Sequence, residues 1–240
     1  MKFIRNMLAL TIATLILSTS CVMQQGISLG AGQNGWATTD LSVSEFFVAV
    51  LEDFQPFSEE VNPKPILETS VDDFVCELDK AGSTSQVSAL KLNDNSYFID
   101  FTFSSLNELL KDLNKRENQS LLSLETNGNT QSLNFYLDLN NYPELTRIVP
   151  FLADENFETF GPLYNEGMSE DEYYEMISYI LGEEGPSAIS ESVISLRLTA
   201  PKAIKSQDGG ILEGKNVVRF DIHLIDILLL SAPITFSAYW

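Results

Sequence analysis

LLSLETNGNTQSLNFYLDL, residues 121–139, is the stretch whose pattern decides the fold. Leu121 to Glu125 reads as one strand and Leu133 to Leu139 as its return. Between them Asn127-Gly128-Asn129 supplies residues that tolerate the positive φ of a tight hairpin turn. On the return strand Leu133, Phe135, Leu137 and Leu139 share one face, and Asn134, Tyr136 and Asp138 share the other. A period of two with one apolar side describes a half-buried antiparallel strand rather than a parallel one buried on both faces. A helix is expected next, from about Tyr142 to Phe151.

Upstream the chain shows the same plan. Val87 to Leu92 is a strand, Asn93-Asp94-Asn95 a turn, and Tyr97 to Phe103 a returning strand. Ser105 with Glu108 then forms a capping box for the helix Leu106 to Leu113. Other capping boxes are Ser42 with Glu45, before the apolar series Phe46, Phe47, Val50, Leu51 and Phe54, and Ser70 with Asp73, before a helix closed by Gly82. Ser169 with Glu172 opens a helix over Glu170 to Leu181. The last third is β-rich: Val193 to Thr199, Val217 to Leu224 and Ile234 to Trp240 each suit a strand, separated by Pro201, Asp208-Gly209-Gly210 and Gly214. These elements predict an α+β fold, a mainly antiparallel sheet with several short helices packed on it.

The N-terminus carries an address. Lys2 and Arg5 precede the apolar run Met7 to Leu17, which falls short of the about 20 apolar residues needed to span a bilayer. Ser18, Thr19 and Ser20 stand directly before Cys21. This arrangement resembles the lipobox of bacterial lipoproteins, with Leu17 one place further from the cysteine than the usual leucine. The resemblance implies cleavage after Ser20 and acylation of Cys21. Val22, where an Asp would retain such a protein at the inner membrane, implies an outer-membrane destination, facing the periplasm or the cell surface. The expected organisation is a signal peptide over 1–20, a lipidated tether over 21–35 with a strand-like patch at Ile27 to Leu29, and one globular domain over 36–240 in which Trp36 to Leu41 is the first strand or its partner.

Charge narrows the partners. The 14 basic residues less Lys2 and Arg5 leave 12 against 34 acidic ones, a net charge of −22. Such a surface repels phosphate backbones and anionic headgroups, so nucleic acid is excluded and the membrane is reached through lipid. With 44% hydrophobic and 10% aromatic residues the chain can build a sizeable core.

A second resemblance lies in the C-terminal quarter. A strand, Ala200-Pro201, Gly209-Gly210, Gly214, the strand Asn216 to Leu224 and a closing strand ending at Trp240 resemble LppM-type bacterial lipoproteins. That resemblance implies an α+β outer domain with a lipid-binding or cell-envelope role.

No catalytic constellation emerges. The single histidine, His223, sits beside Asp221 and Asp226 on the polar side of a strand and reads as an exposed strand histidine beside acids. Zinc would need His or Cys ligands the chain lacks, and no cofactor motif is present. Cys76 falls next to the apolar side of its helix, as a semi-buried small hydrophobe. The acidic pairs, such as Glu59-Glu60 and Glu183-Glu184, read as solvated surface and helix starts. Phe157, Phe160, Tyr164, Tyr173 and Tyr174 lie in the densest aromatic region. They are either a helix core face with its overlying loop or the lining of a groove for an acyl chain, a sugar or a peptide. The expectation is therefore a non-enzymatic envelope lipoprotein that binds an apolar, lipid-like ligand or an envelope protein. A carboxylate-dependent hydrolase and a ligand-free structural protein are the alternatives.

Overall fold

In the computed structural model, which describes residues 22–54, 64–148 and 158–240, the chain opens with two paired strands, β1 (Val22–Leu29) and β2 (Gly35–Ser42). Helices α1 (Glu45–Phe54) and α2 (Ile66–Lys80) follow, then the hairpin β3 (Thr84–Asn93) and β4 (Ser96–Phe103) with α3 (Leu106–Leu113). The second hairpin is β5 (Leu122–Asn127) and β6 (Thr130–Leu137), followed by α4 (Tyr142–Ile148), α5 (Glu170–Leu181) and α6 (Gly185–Ser190). The chain closes with β7 (Val193–Thr199), β8 (Ser206–Asp208), β9 (Ile211–Leu212), β10 (Val217–His223), α7 (Leu224–Leu229) and β11 (Ile234–Tyr239).

The fold is α+β. A seven-stranded sheet has the order β3-β4-β2-β1-β7-β10-β9, and a four-stranded sheet the order β5-β6-β11-β8. Among the described pairs β1 and β7 run parallel and the others antiparallel. The two hairpins read from sequence are both present, one in each sheet. Gly128 takes φ 61° in the second, as its tight turn requires. The return strand stops at Leu137 instead of Leu139. Asp138 turns the chain there, its carboxylate accepting the backbone N–H groups of Asn140 at 2.9 Å and Asn141 at 3.1 Å. The Asn140 side chain and these N–H groups hold that carboxyl below its usual range.

The tether expected over 21–35 needs correction. Val22–Leu29 is an eight-residue strand inside the large sheet, bonded to β2 on one side and β7 on the other. Its alternation is disguised by a polar residue on the core side. Gln25 Oε1 accepts from the Thr39 hydroxyl at 2.6 Å, and Thr39 is 3% exposed. The bond satisfies the hydroxyl of Thr39, the buried partner, while Gln25 itself is half-buried. Cys21 lies outside the described residues.

The inner face of the large sheet carries the main core, including Ile99, Phe101, Leu198, Val218 and Phe220. Three elements cover it: α2 through Leu67, Val71 and Leu78, α3 through Leu106, Leu109 and Leu110, and the small sheet through Leu133, Phe236 and Trp240. The opposite face is polar. One cross-strand row there reads Ser88, Asp100, Thr38, Gly26, Arg197 and Arg219. A second cluster joins Tyr173 and Ile177 of α5 to Ile189 of α6 and to Ile225 and Leu229 of α7. It caps the sheet where β7 begins and β10 ends, and Leu224 N–H donates to Ser192 C=O at 2.9 Å there.

Helix starts follow the sequence unevenly. The box at Ser169 forms in full, Ser169 Oγ accepting from Glu172 N–H at 3.3 Å and Glu172 accepting from Ser169 N–H at 2.9 Å. Ser105 stands at the cap of α3 without a side-chain bond. Ser70 is no cap: α2 begins a turn earlier, after Pro65, and Ser70 Oγ donates to Ile66 C=O. Proline fits there because a first-turn N–H has no helical partner to lose. On α1 it is Ser44, not Ser42, whose hydroxyl accepts from Phe47 N–H, at 3.3 Å. The strand expected to reach Leu224 ends at His223, where α7 begins.

The α5 box makes a testable pH dependence. The Ser169 N–H and hydroxyl hold the Glu172 carboxyl below its ordinary value of 4.5. A depressed folded-state pKa contributes stability above the unfolded value and loses it as pH falls through the folded one. Amide exchange at the first turn of α5 should therefore accelerate, relative to its intrinsic rate, as pH drops below 4.5. Ser169→Ala should cost about 1 kcal/mol in urea unfolding and abolish most of that pH response. An unchanged response would mean the box does not hold the helix start.

Candidate functional site

The two sheets meet across three stacked rings. Phe135 and Phe236 are direct partners on β6 and β11, so their rings share one face, 4.5 Å apart and 6° from parallel. Phe220 projects from β10 of the large sheet and stacks on Phe236 at 4.1 Å and 16°. Gly210 lies against this stack, because a Cβ there would come within 2.5 Å of the Phe220 ring. Only a residue without a side chain lets the β8–β9 turn pack so close.

Beside the rings is a cavity of about 170 Å³. Ile27, Leu196 and Leu198 line it from the large sheet, Leu122 and Leu133 from the small one, and Leu110 and Leu145 from α3 and α4. Gln25 reaches its edge with the side-chain oxygen already engaged by Thr39. Arg197 borders it too, but its side chain lies on the opposite, polar face of the sheet, where Glu213 holds the guanidinium at 2.8 Å. The side chains that face the cavity are otherwise aliphatic and aromatic. Such a lining supplies no acid, base or nucleophile; its chemistry is exclusion of water from an apolar guest. An apolar cavity of about 150 Å³ stays dry and accepts a guest of benzene size. This one has the capacity for a short alkyl segment, not for a whole fatty acid.

The aromatic residues singled out in the sequence lie elsewhere. Tyr173 is fully buried, its hydroxyl donating to Phe160 C=O at 2.9 Å, and burial pushes its pKa upward. Phe160 and Tyr174 pack against the same cluster. Burial, then a hydrogen bond to Glu170, pushes the Tyr174 phenol up to about 12. Tyr164 is 64% exposed, and Phe157 falls outside the described residues. Tyr173, Phe160 and Tyr174 are thus brought together as the core under α5, and none of them lines the inter-sheet cavity.

His223 is exposed at the start of α7. Cys76 is exposed on α2 rather than semi-buried, since Leu67, Val71 and Leu78 take the core side of that helix and Cys76 faces away from it. Among the described residues no three His, Cys, Asp or Glu side chains gather closely enough to hold a metal ion. The cavity itself was only half legible in sequence. Phe135, Phe220 and Leu133 fall on predicted inward faces, whereas Ile27 sits in the stretch read as tether and Leu110 and Leu145 need the tertiary fold to meet them.

No family model matches this chain. No curated protein matches it either. Among solved structures it is similar to the NMR structure of the Mycobacterium tuberculosis LppM protein folded domain. The two share 12% identity over 92% of this chain and 89% of that one, with a TM-score of 0.39. A likeness at that level assigns neither family nor function to this chain.

Proposed function

We propose that this chain is a non-enzymatic lipoprotein of the bacterial cell envelope, anchored through lipid on Cys21, whose domain receives a short apolar segment between its two sheets. The observation that carries the binding half is the cavity beside Phe135, Phe220 and Phe236, with apolar side chains contributed by both sheets and two helices. The anchoring half rests on Lys2, Arg5, the apolar run to Leu17 and the small residues before Cys21. The end of an acyl chain is the guest whose shape and chemistry fit best, because it asks for apolar contact and no hydrogen bond. The strand β1 gives the two halves a connection: it starts at Val22, next to Cys21, and carries Ile27 into the cavity wall.

The test is a series of n-alcohols titrated into residues 22–240, followed by methyl NMR of Ile27 and Leu196. Each buried methylene contributes about 0.8 kcal/mol, so each added carbon should tighten binding about fourfold until the cavity is full. Affinity should stop rising near hexanol, and Leu196→Trp, which fills the space, should remove the shifts. Equal weak shifts over the whole surface, unaltered by Leu196→Trp, would dismiss the pocket as a binding site.

A further inference from the structure

On the opposite, open face of the large sheet, Ser85, Thr102, Trp36 and Ser28 stand across from one another on β3, β4, β2 and β1. Directly paired residues point the same way, so this row shares the solvent side. At the end of the sheet the row runs into a depression of about 490 Å³ that Asn34 and Ser104 help to line, a size typical of small-molecule sites. Trp36 is 45% exposed there, while the other tryptophan, Trp240, is buried at 1%. Every polar side chain of the lining is a hydroxyl or an amide, and none is ionisable.

The groove is held in shape. The Ser85 and Thr102 hydroxyls bond each other at 2.8 Å, and the β1–β2 turn is fixed by Gly30 N–H donating to Asn34 C=O at 2.7 Å. That turn is also tied to α3, since Leu106 N–H donates to Gln33 C=O at 3.0 Å. Gly35 forms the floor, where a Cβ would come within 2.2 Å of Ser28 C=O and 2.6 Å of the Phe103 ring. Among the described residues no hydrogen bond engages the Ser28 hydroxyl or the Asn34 side chain, leaving both available to a ligand.

We propose that this groove binds a neutral saccharide. A pyranose ring offers an apolar C–H face and a rim of hydroxyls, and the groove offers an indole with hydroxyl and amide partners around it. The formal net charge of −20 disfavours an anionic sugar, and no cationic side chain lines the groove to offset it. The site lies across the sheet from the apolar cavity and does not depend on it.

The experiment uses the full chain in a detergent without a sugar headgroup, dodecyl dimethylamine oxide, titrated with mannotriose, cellotriose and chitotriose. Acrylamide quenching reads the outcome, because Trp36 is exposed and Trp240 is not. At least one trisaccharide should shield Trp36 from quenching with a dissociation constant below 5 mM, and Asn34→Ala should weaken that shielding at least fivefold while the circular dichroism stays unchanged. Trp36→Phe should leave only the protected Trp240 signal, unresponsive to sugar. Shielding by none of the three at 20 mM, or equal shielding in Asn34→Ala and Ser28→Ala, would overturn the proposal.

Discussion

Phe220→Ala should destabilise the protein by about 4 kcal/mol, in the range expected for the largest truncations in its core. Phe220 is 2% exposed and is the ring through which the large sheet stacks on Phe236, which in turn stacks on Phe135. Removing it takes away a buried aromatic surface and enlarges a cavity already present beside it, and little nearby can collapse to fill the space. The measurement is urea unfolding of residues 22–240 followed by circular dichroism. Phe220→Leu, which keeps an apolar body, should lose markedly less. A loss under 1 kcal/mol for the alanine variant would mean that the two sheets are not held together at these rings.

Cys21→Ser should move the protein almost completely from the sedimented membrane fraction to the supernatant or leave it as uncleaved precursor. Each acyl methylene contributes about 0.8 kcal/mol to partitioning, so two or more acyl chains on Cys21 would dominate every other membrane contact. Charge offers no substitute, since an acidic surface is repelled by anionic lipid. Val22 is already the first residue of β1, paired with Ser42 and Val193. One residue spans at most about 3.6 Å, so a lipid on Cys21 would hold this end of the sheet at the bilayer rather than on a long leash. Fractionation with both forms expressed at equal level checks this. A serine variant that is cleaved and still sediments as fully as the parent would place the anchor elsewhere.

Much of the fold was legible because short-range rules agreed with the tertiary outcome. The hairpin at 121–139 and that at 87–103 combine alternation with turn residues, and the helices Leu106–Leu113 and Glu170–Leu181 have both their periodicity and their starts in the local sequence. The failures share a physical origin. Gln25 faces inward and is satisfied by Thr39, so β1 loses the apolar alternation that would have marked it, although it lies within the large sheet. Ser70 obeys the capping pattern while Pro65, one turn earlier, begins the helix. Leu224 continues the apolar alternation of β10 yet starts α7, because Ser192 C=O takes its N–H and turns the chain.

The candidate site was less legible than the fold. Aromatic density drew attention to Tyr173 and Phe160, which the structure uses to seal α5 onto α6 and α7. The inter-sheet cavity is instead made by ordinary aliphatic residues from distant segments, Ile27, Leu110, Leu145 and Leu196 among them. No local pattern distinguishes a leucine that fills space from one that borders it. The difference is set by how closely the covering layer approaches the sheet.

The most direct measurement is paired native and denaturing mass spectrometry of the full chain extracted from bacterial membranes. Under denaturing conditions the protein should begin at Cys21 and carry covalent acyl mass there. Under native conditions it should carry an additional non-covalent apolar molecule, absent from Leu196→Trp but retained by Tyr164→Ala. An unacylated Cys21, or a native mass with no additional molecule in the parent, would contradict a lipid-anchored protein that receives an apolar chain between its sheets.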